Sequence, residues 1–129
     1  MPRTLVVDDE VSIRNLLRSL LESAGHQVLL CASGQEAVRA LEDEECTLDL
    51  MVVDIGLGDM SGLDVVKTCR RTRPCLAVIV ISGYLSQDSV ELRRELTQEG
   101  VEHALSKPFA TQDLMRAVRE ALMEELPPA

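Results

Sequence analysis

Aromatic residues are nearly missing from this sequence: 129 residues include one Phe, one Tyr and no Trp. The hydrophobic share is still 46%, so the chain is globular and aliphatic side chains must fill its core. Positive charge is also scarce. Against 22 Asp and Glu stand 13 Lys and Arg, a formal charge of -9. That balance argues against nucleic-acid binding, which needs a cationic stripe to track the backbone, and fits a cation pocket, basic partners or plain solubility. No apolar run approaches the roughly 20 residues of a membrane-spanning helix, and Asp8 follows Arg3 too closely for a signal peptide. A cytoplasmic chain without membrane insertion is expected. Cys31, Cys46, Cys69 and Cys75 form no C-x-x-C pair, and His26 and His103 are not spaced with them as a zinc site requires. Cys31 and Cys69 fall in apolar segments, where a reduced thiol packs as a small hydrophobe.

What is present alternates between two periods. Leu5 to Val7, Val28 to Cys31, Leu50 to Val53 and Leu76 to Ile81 are short apolar runs of the kind buried on both faces of a parallel sheet. A short fifth strand is expected at about His103 to Leu105. Between them lie helical spacings. Ile13, Leu16, Leu17, Leu20, Leu21 and Ala24 form the first stripe, stopped by Gly25. Ser33 and Glu36 make a capping box ahead of Ala37, Val38 and Leu41. Ser61 and Asp64 open a third helix carrying Val65, Val66 and Cys69, which Arg73-Pro74 breaks. A weakly amphipathic helix from about Gln87 to Glu99 carries Val90, Leu92 and Leu96, and Gly100 ends it. The last helix starts near Thr111, with Leu114, Met115, Val118 and Leu122 inward. Five strand-helix alternations without an internal repeat predict one α/β domain, a doubly wound five-stranded parallel sheet with five helices. The domain is expected over residues 1–125, with 126–129 as a tail or the start of a linker.

Ligands of such sheets bind outside the carboxyl ends of the strands. Strand one ends in Asp8-Asp9, strand three in Asp54, strand four in Ser82, and strand five near Lys107. If these strands are neighbours, three carboxylates converge. Like charges about 4 Å apart repel by about 4 kcal/mol at an effective dielectric near 20. A hard divalent cation relieves that repulsion, and Mg²⁺ favours carboxylate, carbonyl and water oxygens. Acids, a divalent cation, a lysine and a hydroxyl around one carboxylate suit phosphoryl transfer, in which charge on the transferred group must be neutralised while the carboxylate attacks in line. Taken singly, Asp8 and Asp9 are also favoured at a helix start, Asp54 and Ser82 suit turns, and Lys107 suits a surface; their joint placement carries the reading. Gly56-x-Gly58-x-x-x-Gly62 follows a strand as a dinucleotide loop does, but its spacing departs from G-x-G-x-x-G, and Asp54 would face a pyrophosphate.

In order along the chain, Val7-Asp8-Asp9-Glu10, Val53-Asp54-Ile55, Gly62-Leu63, Ile81-Ser82-Gly83 and Lys107-Pro108-Phe109 resemble the receiver domains of two-component response regulators. The wording around Ser82 and Lys107 is similar to receivers attached to hybrid histidine kinases, though Met1 also fits a free-standing regulator. The resemblance covers essentially the whole chain and implies a flavodoxin-like receiver fold. It implies that Asp54 is the phosphoacceptor, receiving its phosphoryl group from a sensor histidine kinase or a histidine phosphotransfer protein and later losing it to water. It further implies that Asp9 ligates Mg²⁺ directly, Asp8 mainly through water, and Asp54 and the Gly56 carbonyl complete the protein ligands, with Mn²⁺ able to substitute. Ser82 and Lys107 would bind phosphoryl oxygens, and the Lys107-Pro108 bond would be cis. Such a protein is a monomer or weak dimer. It catalyses its own modification, and so is a switch more than an enzyme with a turnover substrate.

The sequence departs from the family at three places. Pro is frequent where Gly58 stands, so this loop is expected to be more flexible. Tyr or Phe is usual where Ala104 stands, and alanine has no side-chain torsion to switch. The stretch from Ser82 to Gly100 looks a few residues long, and Tyr84 is expected at the mouth of the pocket. Two rivals are an unphosphorylated pseudo-receiver that acts only by binding, and an aspartyl-phosphate phosphohydrolase. The second normally needs an Asp two residues beyond the nucleophile, where this chain has Gly56.

Overall fold

In a computed structural model of the chain, residues 1–83 and 90–123 are described. Gln87, Tyr84 and the tail at 126–129 lie outside the described residues. Five parallel strands, β1 (Arg3–Val7), β2 (Gln27–Cys31), β3 (Leu50–Asp54), β4 (Ala77–Ser82) and β5 (His103–Ser106), form one sheet in the order β2-β1-β3-β4-β5. The connecting helices are α1 (Val11–Ser23), α2 (Gly34–Glu42), α3 (Gly62–Thr72), α4 (Val90–Gln98) and α5 (Thr111–Ala121).

Alternation along each strand divides the core in two. Leu5, Val7, Met51, Val53, Val78 and Val80 face α2, α3 and α4. Val6, Leu50, Val52, Ile79 and Ile81 face α1 and α5. Both faces are covered, which is why the strands read as unbroken apolar runs. The central strand β3 is buried over all five residues, while the edge strand β2 alternates between exposed and partly buried up to the buried Cys31. Leu29 is exposed, against the expectation of burial on both faces, because β2 lies at the edge of the sheet.

The local signals act as expected. Gly25 and Gly100 adopt positive φ, 93° and 77°, where a side chain would be strained. The Ser33 hydroxyl accepts from the Glu36 amide at 3.1 Å, and the Glu36 carboxylate reaches back to the Ala32 amide at 3.3 Å, one residue beyond the usual capping-box partner. Ser61 caps α3 through the Leu63 amide at 3.1 Å.

Three apolar positions depart from the expected stripes. Leu16 is 44% exposed, because it lies about 100° around α1 from Leu17 at the flank of the buried stripe. Val90, 61% exposed, lies about 120° from Leu96, which carries the burial of α4. Ala24 is exposed because it is the C-cap, past the last packed turn. Among the described residues no helix is long and apolar enough to cross a membrane.

Candidate phosphoacceptor site

The strand order places β1 and β3 side by side, with β4 and β5 following, so the carboxyl ends named from the sequence meet at one end of the sheet. Asp8 follows β1 and is 1% exposed, and Asp54 ends β3 at 5%. Asp9 and Glu10 are exposed beside them. Each of these four residues offers a carboxylate oxygen, and the four atoms lie within 4.8 Å of one another. Lys107, just past β5, reaches into the group: its Nζ stands 3.0 Å from Asp54 Oδ2, 3.2 Å from Asp8 Oδ2 and 3.3 Å from Glu10 Oε1.

Backbone geometry explains how these side chains are held. Asp8 Oδ1 accepts the Glu10 amide at 2.9 Å, an Asx-type turn that swings the chain away from β1. The Arg14 guanidinium donates to the Asp8 carbonyl at 2.8 Å, which ties α1 to the same turn. Asp54 Oδ1 accepts the Gly56 amide at 3.2 Å, leaving Oδ2 to Lys107. The Lys107 amide donates to the Ser82 carbonyl at 3.0 Å, extending the β4–β5 ladder to the lysine. Ser82 is fully buried at the end of β4, and the Lys107-Pro108 bond is cis.

Electrostatics make the group short of positive charge. The group holds four carboxylates and one ammonium, which pairs with three of them, an excess of three negative charges when all are ionised. Burial raises the Asp8 pKa above its ordinary value, with Asp54 adding to the rise, against the lowering effects of the Glu10 amide and Lys107. Burial works to lower the Lys107 pKa, but its hydrogen bond and charge pairing with Asp54, joined by Asp8, outweigh that and raise it. Asp8 Oδ2 is buried without a hydrogen bond: Lys107 is within ion-pair distance but not aligned to donate to it. A buried carboxylate oxygen left so, among other oxygen donors, fits a hard divalent cation.

Asp8, Asp9, Asp54 and Lys107 are thus brought together as the sequence suggested. Ser82 ends the neighbouring strand, and Gly56 opens the adjoining loop. Two further residues join the site: Glu10, which stands in the Val7-Asp8-Asp9-Glu10 motif but had no role of its own there, and Arg14, whose contact depends on how α1 packs.

The sequence pattern of the response regulator receiver domain matches residues 4–119. The chain belongs to that family. As a receiver domain of two-component systems, it is similar to the regulatory protein VirG of Rhizobium rhizogenes, at 34% identity over 96% of this chain and 49% of that protein. Its fold matches a CheY-like receiver domain from Methanospirillum hungatei with a TM-score of 0.87 and 29% identity, covering 96% of this chain and 95% of that one. It also matches the response regulator TrrA of Thermotoga maritima, solved in complex with Mg²⁺ and beryllofluoride, with a TM-score of 0.79 and 29% identity over 95% and 100% of the two chains. The chain spans between 25% and 52% of the length of the curated relatives it matches.

Proposed function

We propose that Asp54 is the phosphoacceptor of a two-component phosphorelay, taking its phosphoryl group from the phosphohistidine of a sensor histidine kinase or phosphotransfer protein. The observation that carries this is the contact of Lys107 with Asp54 Oδ2 at 3.0 Å inside a group of four acids. A carboxylate oxygen of Asp54 attacks the phosphorus, the phosphorus–nitrogen bond of the donor breaks, and the leaving imidazole takes up a proton. The product is an acyl phosphate on Asp54, which water later hydrolyses, so the chain acts as a switch in the cytoplasm and processes no separate substrate.

Lys107 pairs with the acids before transfer and with a phosphoryl oxygen after it, and the Ser82 hydroxyl serves another of those oxygens. Asp9, Asp54 and the Gly56 carbonyl would hold Mg²⁺ directly and Asp8 mainly through water, with Mn²⁺ as a substitute. The cation supplies neutralisation of charge on the transferred group's oxygens.

Incubation with acetyl phosphate and Mg²⁺ should add one phosphoryl mass, labile to base and hydroxylamine. Asp54→Asn and EDTA should each abolish the addition. Labelling of Asp54→Asn at the wild-type level would place the acceptor elsewhere and end this reading.

A further inference from the structure

The loop between β3 and α3 has two glycines in three residues, Gly56-Leu57-Gly58, and lies against the acids: a Cβ on Gly58 would stand 3.8 Å from Asp9 Oδ2. Glycine loses more freedom on ordering than any other residue, so such a loop holds one shape only if tied down. Its base is tied to itself. The Ile55 carbonyl accepts from the Leu57 amide at 3.0 Å and the Gly62 amide at 2.9 Å, and Gly56 bridges to Ser61.

Its tip is tied to a different element. Asp59 Oδ1 accepts the Gly34 amide and Oδ2 the Gln35 amide, both at 2.9 Å. These are the first two amides of α2, and Ser33 leaves them to Asp59: the Ser33 hydroxyl takes the Glu36 amide, and its carbonyl the Ala37 amide. Beside them the Met60 side chain occupies the space a Gly34 side chain would fill, its Sδ 2.7 Å from where that Cβ would stand. Both Asp59 oxygens are engaged here, on α2, and Asp59 stands outside the group of acids that could hold a cation.

We infer that Asp59 is a positioning residue: by clasping the N-terminus of α2 it holds the Gly56–Gly58 loop in the shape the cation site needs. The inference rests on the phosphoacceptor reading and adds to it the device that shapes the Gly56 carbonyl's loop. Mg²⁺ demands near-ideal octahedral geometry, so a small displacement of one loop oxygen costs affinity. Here the clasp does from outside what a more rigid residue at position 58 would do from within. The hydrogen bonds from the Gly34 and Gln35 amides also hold the Asp59 carboxyl below its ordinary range.

The test is a Mg²⁺ titration of the full chain followed by amide NMR, in wild type, Asp59→Asn, Asp59→Ala and Asp59→Ala with Gly58→Pro. Asp59→Ala should raise the half-saturating Mg²⁺ concentration roughly tenfold, while the acetyl phosphate labelling rate at saturating Mg²⁺ stays near wild type. Asp59→Asn, with one acceptor oxygen for two amides, should fall between. Gly58→Pro, which fixes φ at a position where the backbone is not left-handed, should move the double variant back toward wild type. Displaced Gly34 and Gln35 amide signals with wild-type Mg²⁺ affinity would overturn the inference, as would a lost affinity that Gly58→Pro leaves unchanged. A wild type that binds Mg²⁺ but takes no phosphoryl group sinks the phosphoacceptor reading alone. One indifferent to Mg²⁺ sinks both.

Discussion

Lys107 comes within 3.3 Å of carboxylates on Asp8, Glu10 and Asp54, although 53 residues separate it from Asp54 and 97 from Glu10. Removing it strands two buried acids. Lys107→Ala should therefore cost about 3 kcal/mol in metal-free buffer, by urea unfolding, and less when Mg²⁺ replaces the lost charge. The pH dependence follows from the raised Lys107 pKa. Its contribution is fully present below the ordinary value of 10.5 and is lost as pH rises through the higher folded value. The gap between wild type and Lys107→Ala should narrow in strong alkali, and a constant gap would mean that the ammonium stabilises nothing. At this scale the sequence was most legible, because Asp, Lys and Ser after apolar runs are unusual enough to name themselves. The contact of Glu10 with Lys107 was not, since an acid beside two acids does not show which way its side chain turns.

Elements meet through backbone groups that sequence patterns do not reveal. Gly62 opens α3, and a Cβ there would collide with the Asp54 carbonyl oxygen and stand 2.7 Å from the Ile55 Cα. The helix start thus packs directly on the backbone of Asp54. Gly62→Ala should destabilise the fold by about 2 kcal/mol and shift the Asp54 amide. An unperturbed Asp54 signal would show that the helix, not the strand, gives way. At the far end of α3, Arg73 donates to the Leu41 carbonyl at 3.0 Å and the Asp43 carbonyl at 2.8 Å, closing the C-terminus of α2. Asp59 closes its N-terminus, so α2 is fixed at both ends by residues that follow β3 in the chain. Because the Asp59 pKa lies below its ordinary value of 3.8, the stability this clasp gives is present above that value and lost as pH falls through the lower folded one. Helix periods and caps were readable locally. Leu16 and Val90 were misplaced because apolar character does not say which flank of a helix meets the sheet.

Across the whole molecule, the order β2-β1-β3-β4-β5 converts scattered strand ends into one site. It also sets Ala104 on β5, half-buried against the side of the core that α4 covers, where the family usually has an aromatic side chain. An alanine cannot turn, so occupancy of the site should register weakly on β5. Beryllofluoride with Mg²⁺ should shift the amides of Asp54, Ser82 and Gly83 well beyond that of Ala104. Equal shifts would show that β5 carries the response without an aromatic. The sequence by itself determined the two periods, hence the α/β class, and the acids and lysine that follow the apolar runs, because burial and dihedral preference act within a few residues. Tertiary structure alone decided that four acids gather and three of them share one lysine, and that Asp59 spans 24 and 25 residues to reach α2. Those contacts depend on strand order and helix docking, which the packing of the entire core sets and no local pattern encodes.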